Sequence, residues 1–153
     1  MWSPAQQKRL AVEEQILANE LPQFRLHNRH EDTFISGYQG ANGSSRRYEL
    51  KLTLTRHYPF EMPSLYVVSP FTLWKRCLCC TINAEGTSHA FHTRPNGLGG
   101  CVQICHFIDW VSTNTCLAVL QKGILWIQAY ENHRSTGEDI ADFLGNNAKT
   151  RRF

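Results

Sequence analysis

Between Tyr48 and Thr55 apolar and polar side chains alternate without a break, Tyr48, Leu50, Leu52 and Leu54 standing between Glu49, Lys51, Thr53 and Thr55. A period of two over eight residues is the pattern of a half-buried strand. Shorter runs at Phe24 to Asn28 and Thr33 to Tyr38 read as two earlier strands joined by a polar turn at Arg29 to Asp32, and Gly40 to Ser45 reads as a flexible turn. Tyr58-Pro59-Phe60-Glu61-Met62-Pro63 cannot extend the long strand, because two prolines supply no ladder donors. Leu65 to Val68 then forms a fourth strand closed by Pro70. Ahead of the strands, Ser3-Pro4-Ala5-Gln6 combines an N-cap, a proline at the first helical position and a capping-box glutamine. Leu10, Ile16, Leu17 and Leu21 follow as a helical stripe that ends before Pro22.

Residues 71–111 lose all sustained period, hold five of the six cysteines and carry the run Pro95-Asn96-Gly97-Leu98-Gly99-Gly100. So long an irregular stretch in a compact domain is usually functional. Helical spacing returns from Ser112 or Thr113, with Leu117, Leu120, Ile124 and Ile127 on one face. Thr136-Gly137-Glu138-Asp139 reads as the capping box of a short last helix carrying Ile140, Phe143 and Leu144, with Gly145 as its C-cap. The pattern predicts an α+β domain over residues 1–145: an N-terminal helix, a four-stranded antiparallel meander, a cysteine-bearing loop and C-terminal helices. Residues 146–153 are expected as a polar, flexible tail.

Length and charge narrow the field. At 153 residues and 17.6 kDa the chain has room for one domain and one site. A net charge of +3 is too small to argue for nucleic acid, and the pairs Arg46/Arg47, Lys75/Arg76 and Arg151/Arg152 are scattered without interleaved aromatics. Glu13 and Glu14 interrupt the stretch where a secretion signal needs an apolar run, and no segment approaches the ~18 apolar residues of a membrane span. The expectation is a cytoplasmic protein in a reducing compartment, where cysteines serve as reactive thiols or metal ligands more often than as bridges.

Candidate chemistry gathers around Cys101. No acidic residue lies between Glu85 and Asp109, whereas His89, His92, Arg94 and His106 do. Cationic or imidazole neighbours make a thiol easier to ionise, and Gly99-Gly100 removes bulk from the approach to the sulfur. His92 and His106 are candidates to orient or ionise the thiol, and Asn96 or a backbone N–H of the Gly99 to Val102 turn could stabilise an oxyanion. Three readings stand beside this one. Cys101 and Cys105 can be small core hydrophobes. Cys77, Cys79, Cys80, His89, His92, Cys101, Cys105 and His106 exceed the four ligands of a zinc site, although C-x-C-C followed by C-x-x-x-C matches no common zinc spacing. A 101 to 105 or 79 to 101 disulfide would make a redox switch. No metal and no cofactor is expected.

Taken in order, an N-terminal helix, a meander, a Tyr-Pro-x-x-x-Pro turn after the third strand, a cysteine, a tryptophan nine residues later and closing helices resemble the ubiquitin-conjugating-enzyme fold. Tyr58, Pro59 and Pro63 match the turn, and Cys101 and Trp110 match the catalytic cysteine and its following tryptophan. Trp126-Ile127-Gln128-Ala129-Tyr130-Glu131 with Ser135-Thr136-Gly137 is similar to the end of the bacterial branch found in CBASS antiphage defence operons. The family's His-Pro-Asn sets an asparagine eight residues before the cysteine; Asn96 stands five before Cys101. Cys105, five residues before Trp110, is the alternative nucleophile.

The resemblance implies an acyl transferase that carries an activated protein C-terminus on Cys101 as a thioester and passes it to an amine. The conjugated protein would be a ubiquitin-like protein or a cyclic-oligonucleotide synthase. The chain has no phosphate-binding glycine loop, so a separate activating enzyme or subunit must supply the carboxyl. A homodimer stays open. A non-catalytic binding module of the same fold and a zinc-binding interaction protein are the alternatives.

Overall fold

A computed structural model describes residues 1–107 and 109–150, the last four of these by backbone alone. Helix α1 (Pro4–Glu20) starts at the expected capping box, with the Ser3 hydroxyl accepting from Gln6 N and the Gln6 side chain accepting from Ser3 N. Six strands follow: β1 (Arg25–His27), β2 (Phe34–Gly40), β3 (Arg47–Thr53), β4 (Ser64–Ser69), β5 (Thr93–Gly97) and β6 (Cys101–Ile104). Helices α2 (Cys116–Thr136) and α3 (Ile140–Thr150) close the chain. All strands pair antiparallel in the order β1-β2-β3-β4-β6-β5. Among the described residues no helix is long and apolar enough to cross a membrane.

The meander β1 to β4 stands where the periodicity puts it, but the sheet has six strands rather than four. The two additional ones form a hairpin inside the segment expected to lack regular structure, so Cys101 opens a strand instead of sitting in a loop. Neither strand has the length to show a period, and β5 contains a proline. Pro95 is tolerated there because β5 is the sheet's edge, where no further strand calls for its missing N–H.

Strand alternation divides the sheet into two faces. Ile35, Leu52, Leu65 and Ile104 lie in register across four strands, with Leu50, Val67 and Val102 in the neighbouring row, and all are fully or almost fully buried. Burial of each such side chain stabilises by about 1.5–3 kcal/mol. Helix α2 covers this face. At Gly123 a Cβ would fall 2.6 Å from Leu65 Cδ2 and 3.2 Å from Leu50 Cδ1, so glycine is required there for backbone-to-side-chain contact. The other face carries the row Arg25, Ser36, Lys51, Tyr66, Gln103 and Arg94.

The helix boundaries also depart from expectation. Helix α2 begins at Cys116 with Thr115 as N-cap, its hydroxyl accepting from Ala118 N. Its fully covered face runs through Val119, Leu120, Trp126, Ile127 and Tyr130, while Leu117 and Ile124 are only partly buried. Thr136 ends α2 instead of capping α3, and Gly137, at φ 81°, is the left-handed C-cap. Helix α3 passes Gly145 and continues to Thr150, so the expected tail begins as helix; residues 151–153, Arg151 and Arg152 with them, lie outside the described residues.

Glu13 joins three parts of this architecture. Its carboxylate is fully buried, accepts from Arg9 Nε at 2.8 Å and from the Tyr58 hydroxyl, and accepts from Cys116 N, the first residue of α2, at 3.0 Å. Arg9 in turn donates to the carbonyls of Ser112 at 2.7 Å and Asn114 at 2.6 Å. Burial and the negative carboxylate push the Tyr58 and Cys116 pKa values up, keeping both groups neutral. Glu13→Ala should lower unfolding free energy by about 3–5 kcal/mol, because it leaves Arg9 and two donors without their acceptor. Urea unfolding checks this, and a loss under about 1 kcal/mol would show that the network is replaceable by water.

Candidate functional site

The β5–β6 hairpin turns through Leu98, Gly99 and Gly100, at φ 49°, 77° and 105°. Glycine meets the last two at no steric cost. Cys101 follows, two residues before Gln103, and so stands on the Lys51 and Tyr66 face of the sheet, away from α2. It is 5% exposed, and its Sγ donates to the Leu98 carbonyl at 3.4 Å. Burial raises the thiol's pKa, and the Lys51 ammonium opposes that shift more weakly. The sequence expectation of an ionised, open Cys101 is therefore not met in this state: the hairpin covers the sulfur and favours the neutral thiol.

Asn96 reaches the residue before Cys101, and its amide is engaged with backbone carbonyls. Asn96 Nδ2 donates to the Asn83 carbonyl at 2.6 Å and the Gly100 carbonyl at 3.4 Å. Asn83, which the sequence reading passes over, donates to the Phe71 carbonyl at 2.8 Å and the Gly100 carbonyl at 3.2 Å, while its Oδ1 accepts from Leu73 N at 2.9 Å. Two amides thus converge on the carbonyl one residue before Cys101. Phe71 lies against Gly100, and Gly97 leaves space for Tyr66, whose Oη is 2.7 Å from where a Cβ would be. Lys51, Tyr66, Phe71 and Asn83 are the neighbours the sequence did not reveal. Only the strand register brings the first two to Cys101, and no spacing motif marks the others.

The histidines gather around the other cysteine. His92, Cys105, His106, Lys122, Leu125, Trp126 and Leu144 line a cavity of about 180 Å³, and Cys101 is not among its walls. Cys105 N donates to the His92 carbonyl at 3.0 Å, and His92 holds a left-handed backbone at φ 54°. Burial, with His89 and Lys122 nearby, lowers the His92 pKa. His106 is 4% exposed; its Nε2 lies 2.8 Å from the Pro63 carbonyl and its Nδ1 has no partner among the described residues. Burial takes its pKa down to about 4, so the ring is neutral at pH 7.

Trp110 closes the same end of the molecule. Its Nε1 donates to the Pro59 carbonyl at 2.8 Å, and its ring lies tilted 6.4 Å from Tyr58 and edge-on 5.6 Å from Phe107. Tyr58, Pro59 and Pro63 are thus tied to Glu13, Trp110 and His106 respectively. The turn and the tryptophan are a brace beside the cysteines, not reacting groups.

The remaining cysteines divide cleanly from these. Cys77, Cys79 and Cys80 are exposed, and their Sγ atoms all lie within 4.8 Å of one another. Among the described residues they are the only such group of three potential metal ligands. The eight candidate ligands gathered in the sequence therefore do not form one site. A hydrogen bond from Cys79 lowers the Cys77 pKa to about 7.

His106 makes acid stability testable. Its native pKa lies below its ordinary 6.5, so the unfolded state takes the proton first as pH falls. The stabilisation is full above pH ~6.5 and declines by about 3 kcal/mol down to pH ~4. His106→Gln should flatten that part of the curve of urea-unfolding free energy against pH; an unchanged slope would place the effect on other groups.

No protein-family model, no curated protein and no solved structure matches this chain.

Proposed function

We propose that this chain is a ubiquitin-conjugating-enzyme-like acyl carrier of bacterial antiphage defence, taking the activated C-terminus of a protein onto Cys101 and passing it to an amine. The observation that supports this best is the position of Cys101 at the foot of a glycine-turned hairpin. It stands on the sheet face left open by the helices, nine residues before a tryptophan that pins a Tyr-Pro turn. The order of a leading helix, an antiparallel meander, the cysteine segment and two closing helices agrees with that fold.

Chemically the transfer is covalent nucleophilic catalysis. The thiol loses its proton and the thiolate attacks the activated carbonyl carbon; a C–S bond forms and the activating group departs with its electron pair. An amine then attacks the thioester, a C–N bond forms, the C–S bond breaks, and the amine's surplus proton passes to water. Because the sulfur is buried and held to the Leu98 carbonyl, the hairpin tip must part when the donor chain arrives. Lys51 then supplies the nearby positive charge for the thiolate. A backbone N–H at the start of β6 serves as oxyanion donor more readily than Asn96, whose amide already holds two carbonyls. The donor is a ubiquitin-like protein or a cyclic-oligonucleotide synthase, charged by a separate activating enzyme.

A second reading has an observation of its own: Cys105 shares a cavity with His92, His106 and Lys122, whereas no histidine is placed with Cys101. Co-expression with the neighbouring genes and denaturing electrophoresis separates the two. An adduct that is cleaved by neutral hydroxylamine, absent in Cys101→Ala and present in Cys105→Ala, is the expected result. Cys101→Ser should carry an oxyester that survives thiol reductant and falls to mild alkali. Loss of the adduct in a folded Cys105→Ala variant, with retention in Cys101→Ala, would move the nucleophile to Cys105. Adducts that resist hydroxylamine and yield to reductant would mark disulfide linkage. No adduct, with defence intact in Cys101→Ala, would leave a binding module.

A further inference from the structure

The segment from Leu73 to Ile82 is a small hairpin whose tip carries Cys77, Cys79 and Cys80. Its base is buried through Leu73 and Ile82, and it is closed by Ile82 N to the Leu73 carbonyl at 2.8 Å, the Trp74 to Thr81 bridge, and Lys75 N to the Cys80 carbonyl at 3.0 Å. Helix α2 anchors it from below: Tyr130 Oη donates to the Trp74 carbonyl at 2.8 Å, and Arg76 N donates to His133 Nε2 at 3.3 Å. Leu78, at φ 58°, reverses the chain between the first two cysteines. Three thiols therefore stand together on a tip that the core holds in place, and all three are open to solvent.

We propose that Cys77, Cys79 and Cys80 form a three-thiolate site for one soft monovalent cation, Cu(I). Sulfur ligands select soft ions, and all three donors here are sulfur. Three sulfurs about 2.3 Å from one ion lie roughly 4 Å apart. That spacing falls inside the 4.8 Å within which the three sulfurs lie: Cys79 and Cys80 are already 3.7 Å apart, whereas Cys77 and Cys79, 2.6 Å apart and joined by a thiol hydrogen bond, must separate by about 1.4 Å as that proton leaves. Among the described residues no fourth histidine, cysteine or carboxylate joins the group. A closed structural zinc site requires four protein ligands, whereas three thiolates complete the shell of Cu(I). Copper stays in the +1 state on binding, each thiol gives its proton to buffer, and the Lys75 ammonium, paired with Glu85 but with its charge also felt at Cys77 and Cys80, offsets a small part of the resulting negative charge. The site is independent of the acyl-transfer reading.

Anaerobic titration of the reduced full chain with Cu(I), in competition with bicinchoninate, tests this. One equivalent per chain should be retained against the chelator, with three sulfurs and no nitrogen in the X-ray absorption spectrum. Cys77→Ser, Cys79→Ser and Cys80→Ser should each weaken retention on the order of 100-fold, since metal affinity is lost with any member of so small a ligand set. Cys101→Ser and Cys105→Ser should leave it unchanged. Circular dichroism and thermal melting of the serine variants should match the parent, because these side chains are exposed. Copper uptake that falls only in proportion to the number of thiols removed would overturn the site. So would loss to the chelator equal to that of the triple variant, or a zinc ion held by these thiols with nitrogen or oxygen in its shell.

Discussion

A buried carboxylate cannot be left unpaired, and the arrangement of this protein's first helix, its Tyr-Pro turn and its long second helix follows from how Glu13 is satisfied. The acceptor sits on α1, one donor comes from the turn after β3, and another is the first N–H of α2. At a helix N-terminus a negative charge is favourable in its own right, so the same atom pair both ends an orphan donor and meets the helix dipole. Arg9 then reaches past Glu13 to the carbonyls just before α2, fixing where that helix can begin. Segments more than a hundred residues apart in the chain are aligned by one side chain.

Much of this fold is legible because its central elements obey one period each. Strand β3 alternates perfectly and is buried at every second residue, and α1 announces its start with a reciprocal cap. The hairpin β5–β6 is not legible for a reason of scale: five and four residues, a proline and three glycines carry no period, and only pairing, of β6 with β4 and of β5 with β6, makes them strands. The capping box read at Thr136 fails differently. The same Thr-Gly pair that can open a helix can also end one, and the left-handed Gly137 decides for the latter.

Site prediction has a comparable limit. Cys101, Cys105, His92 and His106 are close in sequence, yet the sheet separates them: Cys101 goes to the open face, and Cys105 joins the histidines at a cavity under α2 and α3. Proximity along the chain overstates proximity in space wherever a strand intervenes, because at about 3.3 Å per residue the extended β6 holds Cys101 at its start and Cys105 just past its end roughly 13 Å apart. Lys51 and Tyr66, some 35 to 50 residues away, become neighbours of Cys101 only through register.

The ends of the sheet shape what kind of contact this molecule can make. One edge strand, β1, has three residues, and the other, β5, carries Pro95. A short edge and a proline-bearing edge are both poor templates for a further strand. Backbone pairing between copies, the usual route to aggregation of β-proteins, is thereby discouraged at both borders. On the proposed acyl transfer, a peptide that reaches Cys101 would meet side chains such as Phe71, Tyr66 and Leu98 and not a sheet edge open for pairing, so its sequence, more than its capacity to form a strand, would govern whether it is accepted.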